Sequence, residues 1–230
     1  MLKKIIKQNK LIYKLLLNSR GILRILYNQK TRSRFLWKIR KGDIKLTLNY
    51  PLTKNSLVVD VGAYKGEFTE KLNNKFHCRI YALEPITEYY DYLTNKFSNH
   101  PNVRVYNYGL LDETKSMMIS SLEAGSSIFQ RLEGSTNDEV LIKSVKEFFD
   151  EEKIEEIDLL YLNIEGSEYK LLDQLIESGL INKVKHLQVQ FHNYIDDASN
   201  KRKLIRKHLD ETHKCIFNFP FIWERWDRRN

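Results

Sequence analysis

Val58-Val59-Asp60-Val61-Gly62-Ala63-Tyr64-Lys65-Gly66-Glu67-Phe68 reads as a buried strand, a tight glycine turn and the start of a helix. Gly62 lets the backbone turn where a Cβ would clash, and Gly66 lets a cofactor or a strand come close to the helix. In an open parallel sheet, ligands bind in the crevice beyond the carboxyl ends of the strands. This turn belongs at such a place.

Outward from it, strands and helices alternate. Leu57 to Val61 is the first strand and Gly66 to Leu72 opens a helix. Arg79 to Leu83 is a strand ending at Glu84-Pro85, and Thr87 to Phe97 a tyrosine-rich helix. Val103 to Tyr108 is a third strand. Lys115 to Ser120 is a less regular one leading to a Gly-Ser loop at Gly125 to Ser127, and Val140 to Phe149 is mixed. Ile157 to Ile164 is a strongly buried strand, followed by a helix over Gly166 to Ile176. Val184 to Phe191 is another strand, Asp197 to Thr212 a charged helix, and Ile216 to Phe219 with Phe221 to Trp226 a closing strand pair. This succession predicts an α/β fold: a mostly parallel, doubly wound sheet with an antiparallel terminal edge.

The bulk numbers suit one catalytic domain of a soluble protein. Residues 1–42 hold 13 Lys or Arg and no acid, whereas the other 188 hold 25 basic and 30 acidic residues. The net charge of +8 thus belongs to an N-terminal extension. Leu2, Ile5, Ile6, Ile12, Tyr13, Leu16, Leu23, Leu26 and Tyr27 recur in it at helical spacing, with Gly21 as a break. The predicted organisation is a basic amphipathic helical extension over 1–50 and a catalytic domain over 51–230. The extension fits a helical lid or oligomer contact, a peripheral helix on an anionic membrane, or a clamp on an acidic partner. Nucleic-acid binding would rest on it alone. No stretch is long and apolar enough for a membrane span, and no small-residue cleavage site follows Leu11 to Leu17. Cys78 and Cys215 are too few for a disulfide framework and read as small buried hydrophobes of a reduced cytoplasm. The expected location is cytoplasmic, with peripheral contact at the inner membrane face.

A dinucleotide fingerprint needs G-x-G-x-x-G, and Tyr64 stands at its middle glycine, which argues against a closely bound pyrophosphate. S-adenosylmethionine carries no phosphate but has sulfonium and ammonium cations, which suit Asp60 at the strand end. Glu84 follows Gly62 by 22 residues, at a strand tip where a carboxylate can accept from both ribose hydroxyls. The candidate cofactor set is Asp60, Gly62, Tyr64, Gly66, Glu84 and Pro85. In Ile157-Asp158-Leu159-Leu160-Tyr161-Leu162-Asn163-Ile164-Glu165-Gly166-Ser167-Glu168, strand alternation would turn Asn163 and Glu165 to one side, facing the crevice. Glu165 and Glu168 also fit helix N-terminal carboxylates.

The succession VVDVGAYKGEF, IYALEP, VRVYNYGLLDE, IDLLYLNIEGSE and LQVQFH resembles the FkbM family of S-adenosylmethionine-dependent methyltransferases over roughly residues 55–195. The resemblance implies a Rossmann-like methyltransferase fold and O-methylation of a sugar hydroxyl in a glycan or metabolite. It implies that Asn107 and Tyr108 border the adenine, and that Glu165 and His192 face the acceptor. It also marks a departure, because the family usually has an acidic residue where this chain has Asn163. That puts a catalytic or metal role at 163 in doubt, although Asn keeps its hydrogen-bonding ability.

The candidate catalytic residues are therefore Glu165, His192 and Asn163. His192 belongs at the carboxyl end of its strand, where a group titrating near neutral pH suits a base, with Glu165 as substitute or as the group that orients it. No His, Cys and carboxylate cluster has metal-ligand spacing, so no metal is expected. Aromatic residues of Thr87 to Phe97 and Phe217 to Trp226 read as core in preference to a sugar platform. Competing readings are a nucleotide-dependent oxidoreductase and a non-catalytic docking protein on the same fold.

Overall fold

The computed structural model describes residues 25, 27–121 and 136–229. The expectations over Leu2 to Leu23, Leu26 and Gly125 to Ser127 lie outside the described residues. The described chain divides into two compact units, 27–50 with 219–222, and 51–218 with 223–229.

In the smaller unit, α1 (Gln29–Ile39) begins at Asn28, whose side chain accepts the Thr31 N–H at 2.8 Å. Lys41 in the left-handed region turns the chain into α2 (Gly42–Lys45). Trp37 is buried at this corner. Its Nε1 donates to Asp43 at 2.9 Å, and its ring meets Phe219 edge-on at 5.2 Å. A Cβ at Gly42 would lie 2.1 Å from the Trp37 ring, so only glycine admits the indole.

The larger unit is built on a seven-stranded sheet. Its strands are β1 (Leu57–Val61), β2 (Arg79–Leu83), β3 (Val103–Tyr106), β7 (Ile157–Leu162), β8 (Val184–Val189), β9 (His213–Phe219) and β10 (Trp223–Arg228). Their order is β3-β2-β1-β7-β8-β10-β9. The first five run parallel, and β10 joins β8 antiparallel. This is the α/β architecture with an antiparallel edge that the sequence predicted, and it is Rossmann-like. The helices are α3 (Glu67–Phe76), α4 (Thr87–Lys96), α5 (Val145–Glu151), α6 (Glu168–Glu177) and α7 (Ala198–Thr212). Val58, Val59, Val61, Leu159, Leu162, Leu187 and Val189 are buried, as continuous apolar runs in a two-sided parallel sheet should be. Among the described residues no helix is long and apolar enough to cross a membrane.

The segment that read as mixed resolves into a strand and a helix. β4 (Gly109–Leu111), β5 (Lys115–Ser121) and β6 (Thr136–Ser144) form a separate sheet in the order β4-β6-β5, and α5 follows β6 directly. Three strands stop earlier than their sequence suggested. β3 ends at Tyr106, β7 at Leu162 and β8 at Val189, which leaves His192 beyond its strand. In each case apolar character continues past the point where ladder pairing stops.

Register brings the strand ends level. Val61 pairs with Leu83 on one side and with Leu162 on the other. Connections from β1 lead one way to β2 and β3, while on its other side lie β7 and then β8, so β1 and β7 flank the switch point where ligands bind. Gly62 closes this point with φ +83°, and a Cβ there would lie 2.4 Å from the Asn163 carbonyl oxygen. Gly62→Ala should therefore cost about 2–4 kcal/mol in urea unfolding. Gly179 has a similar φ of +73°, but nothing lies within 4 Å of where its Cβ would stand, so Gly179→Ala should cost only about 1 kcal/mol. Equal losses would show that conformation alone, and not the inter-turn contact, demands glycine at 62.

Candidate active site

The first half of the site is built by the ends of β1 and β2. The Glu84 carboxylate is buried and accepts two backbone N–H groups, from Tyr64 at 2.8 Å and Ile86 at 3.0 Å. It thereby ties the glycine turn to the tip of β2. Tyr64 adopts φ +51°, and its ring packs edge-on against Tyr89 at 4.6 Å. Burial pushes the Glu84 carboxyl up to about 7, against the lowering effect of the two amides. Asp60 lies beneath the turn, 1 % exposed, and accepts the Thr69 hydroxyl of α3 at 2.6 Å. Burial also raises it to about 7, with the Thr69 bond opposing. Each negative charge disfavours the other here, since Asp60 contributes to raising Glu84.

The second half comes from the ends of β7 and β8. Past Leu162 the chain leaves the sheet, and Glu165 and Gly166 both take positive φ, +48° and +99°. Strand alternation therefore does not explain why Asn163 and Glu165 share a side, as expected from the sequence. A left-handed turn does it instead. Glu168, wholly buried at the start of α6, accepts Gly166 N at 2.9 Å and His192 N at 2.7 Å, and its Oε1 lies 3.1 Å from His192 Nδ1. The other face of the same imidazole, Nε2, lies 3.4 Å from Glu165 Oε2. That oxygen also accepts the Tyr194 hydroxyl at 2.8 Å, while Tyr169 donates to the His192 carbonyl at 2.7 Å. The ring is thus held between two carboxylates.

Between the halves lies a cleft of about 890 Å³, counting its open mouth. Gly62, Tyr64, Glu84, Pro85, Asn163 and Glu165 line it, so six of the sequence candidates meet in one place. Leu110, Leu111, Ile119 and Ile142 of the smaller sheet form an apolar wall that the sequence did not point to. Asn163 Oδ1 is buried without a hydrogen-bond partner among the described residues.

Five candidates lie elsewhere. Asp60 supports the turn from below. Gly66 gives its space to α4, since a Cβ there would lie 2.6 Å from Leu93 and 2.8 Å from Phe97. Asn107 and Tyr108 follow β3 outside the cleft lining, and Tyr108 packs against Tyr106 and Phe148 at 5.2 and 6.4 Å. His192 is only 5 % exposed and stands behind Glu165. Asp158, the second strand residue of β7, holds Leu57 N and Lys185 Nζ at the opposite strand end from Glu165. Of the aromatic segments read as core, Tyr89, Phe97, Phe221, Trp223 and Trp226 are buried, whereas Tyr92 is exposed.

The family model for the methyltransferase FkbM domain matches residues 60–219, from the strand carrying Asp60 to the end of β9. The chain belongs to the FkbM methyltransferase family. Among solved structures it is similar to the methyltransferase FkbM of Methylobacillus flagellatus, with 13% identity and a TM-score of 0.54. That match covers 91% of this chain and 59% of the other, so this FkbM-family chain spans well under two thirds of that protein. An rRNA methylase from Streptococcus thermophilus matches with 13% identity and a TM-score of 0.48, covering 78% of this chain and 90% of that one. A precorrin-6y C5,15-methyltransferase from Geobacter metallireducens matches with 11% identity and a TM-score of 0.45, covering 84% and 88%. No curated protein matches.

The two raised carboxyls carry a pH signature. The folded chain binds their protons more tightly than the unfolded chain, whose values are 3.8 and 4.5. Their contribution to stability is thus fully present below about pH 4, and it is lost as pH rises toward 7. Asp60→Asn keeps an acceptor for Thr69 and removes one titration. Thermal unfolding of the ligand-free variant should fall less between pH 5 and pH 8 than that of the wild type. An unchanged slope would mean that Asp60 is already ionised throughout this range.

Proposed function

We propose that this FkbM-family chain is an S-adenosylmethionine-dependent O-methyltransferase acting on a hydroxyl of a sugar, in a glycan or metabolite. The observation that carries the reading is one cleft lined by both Glu84 and Glu165. A carboxylate whose two oxygens are pinned by backbone amides is pre-organised, and each oxygen keeps acceptor capacity for a ribose hydroxyl. Pro85, Leu110, Leu111, Ile119 and Ile142 suit the faces of an adenine. The buried, unpartnered Oδ1 of Asn163 suits a hydrogen-bond donor such as an ammonium group. When bound, S-adenosylmethionine supplies a methyl group already activated by a sulfonium.

The residues then have to orient the acceptor oxygen, exclude water and take one proton. Glu165 lines the cleft with its side chain 29 % exposed, so it is the group placed to accept the hydroxyl proton. His192 and Tyr194 converge on Oε2 of Glu165 and fix its orientation. Glu168 fixes His192 in turn, through both its backbone N–H and its ring. The sequence offered His192 as the base. Its position behind Glu165 favours the alternative assignment, with the histidine as a positioning residue. Tyr64, lining the cleft and packed on Tyr89, stands against the oxidoreductase reading.

Calorimetric titration with S-adenosylhomocysteine and turnover on host glycan extracts, followed as an increment of about 14 daltons per added CH₂, separate the roles. Glu84→Gln should weaken S-adenosylhomocysteine at least about tenfold. Glu165→Gln should leave that affinity within about twofold and lower kcat about 100-fold or more. His192→Asn should lower kcat less and shift its pH profile. Wild-type binding by Glu84→Gln, or full turnover by Glu165→Gln, would refute the assignments.

A further inference from the structure

We propose that residues 27–45 form a docking surface for an anionic lipid bilayer. This segment displays what such a surface requires and little else. It contains seven basic residues, Lys30, Arg32, Arg34, Lys38, Arg40, Lys41 and Lys45, and a single acid, Asp43. That acid is already engaged, accepting the Trp37 indole N–H at 2.9 Å. Six of the cations are exposed, all but Lys30. Three large apolar side chains stand out among them: Tyr27 is 85% exposed, Ile44 76% and Leu36 43%.

The arrangement is a built one. Trp37 and Ser33 lie one helical turn apart on the buried face of α1, and the ring of Trp37 is closed in by Gly42 and Phe219. The largest side chain of the segment thus serves as an internal anchor. α1 and α2 hold their exposed cations and aliphatic tips outward from that anchor.

The chemistry distinguishes a lipid from a nucleic acid. Cations alone suit any phosphate surface. Tyr27 suits either surface, but Leu36 and Ile44 are aliphatic and cannot stack on bases, whereas both gain by entering the boundary between headgroups and acyl chains. Each Lys or Arg near an anionic leaflet adds attraction that fades over a Debye length, and short apolar insertions make the attachment less sensitive to salt. The 188 residues after the first 42 carry 25 basic and 30 acidic groups, so the attraction is confined to one end of the sequence.

The test uses the full chain and sedimentation with vesicles of phosphatidylcholine, with and without phosphatidylglycerol. Wild type should sediment only with the anionic vesicles. Replacing Arg32→Gln, Arg34→Gln, Lys38→Gln, Lys41→Gln and Lys45→Gln together should reduce this binding at least tenfold. The pair Leu36→Ser and Ile44→Ser should reduce it severalfold, and most clearly at raised salt. Both variants should keep the wild-type affinity for S-adenosylhomocysteine, which separates this proposal from the catalytic one and reports an intact fold. The proposal is overturned by equal binding to neutral vesicles or by undiminished binding of the charge variant. It is likewise overturned if a structured RNA is bound and protects the chain from vesicles while the apolar pair behaves as wild type.

Discussion

The site depends on a missing side chain. At Gly62 the end of β1 turns directly against the Asn163 carbonyl at the end of β7, with no room for a methyl group. Backbone pairing continues across the join, where Asn163 N donates to the Val61 carbonyl at 3.2 Å. Two turns distant in sequence are thereby held at fixed separation, and each contributes residues to the cleft lining. Glu84 then fastens the first turn to β2, and Glu168 fastens the second to the chain following β8. The geometry of the cleft follows from backbone contacts made by carboxylates that themselves face inward.

Carboxylates serve three different purposes within this small region. Asp60 is a buried brace for α3, Glu84 a clamp that retains acceptor capacity toward the cleft, and Glu165 the exposed member of a chain running through His192 to Glu168. Their roles follow from what each oxygen already holds. An acid saturated by internal donors positions its neighbours, and one that reaches open space can take part in chemistry.

Much of this was legible in the sequence. The turn at 62–66, the acid at the tip of β2 and the IEGSE segment after β7 identified their strands and six of the cleft residues. Strand ends were harder. Tyr106-Asn107-Tyr108 and Leu162-Asn163-Ile164 keep the composition of a strand, but pairing ends where a neighbour strand ends, and a single strand does not encode that. The apolar wall of Leu110, Leu111, Ile119 and Ile142 was also missed, because these strands pair in a separate sheet, and which cleft that sheet lines is a matter of packing. His192 illustrates a further limit. Its sequence position placed it at a strand end, but depth behind Glu165 is a property of packing.

Tyr64 and Glu165 share an unusual trait: both line the cleft with a backbone that glycine or asparagine would adopt more comfortably, at φ +51° and +48°. Each such residue holds on the order of 1 kcal/mol of unrelieved conformational energy. Thermostability and the lining of the cleft are consequently opposed at these two positions. A library of variants selected only for heat resistance would drift toward glycine at 64 and 165, and would yield a sturdier protein stripped of two cleft-lining side chains.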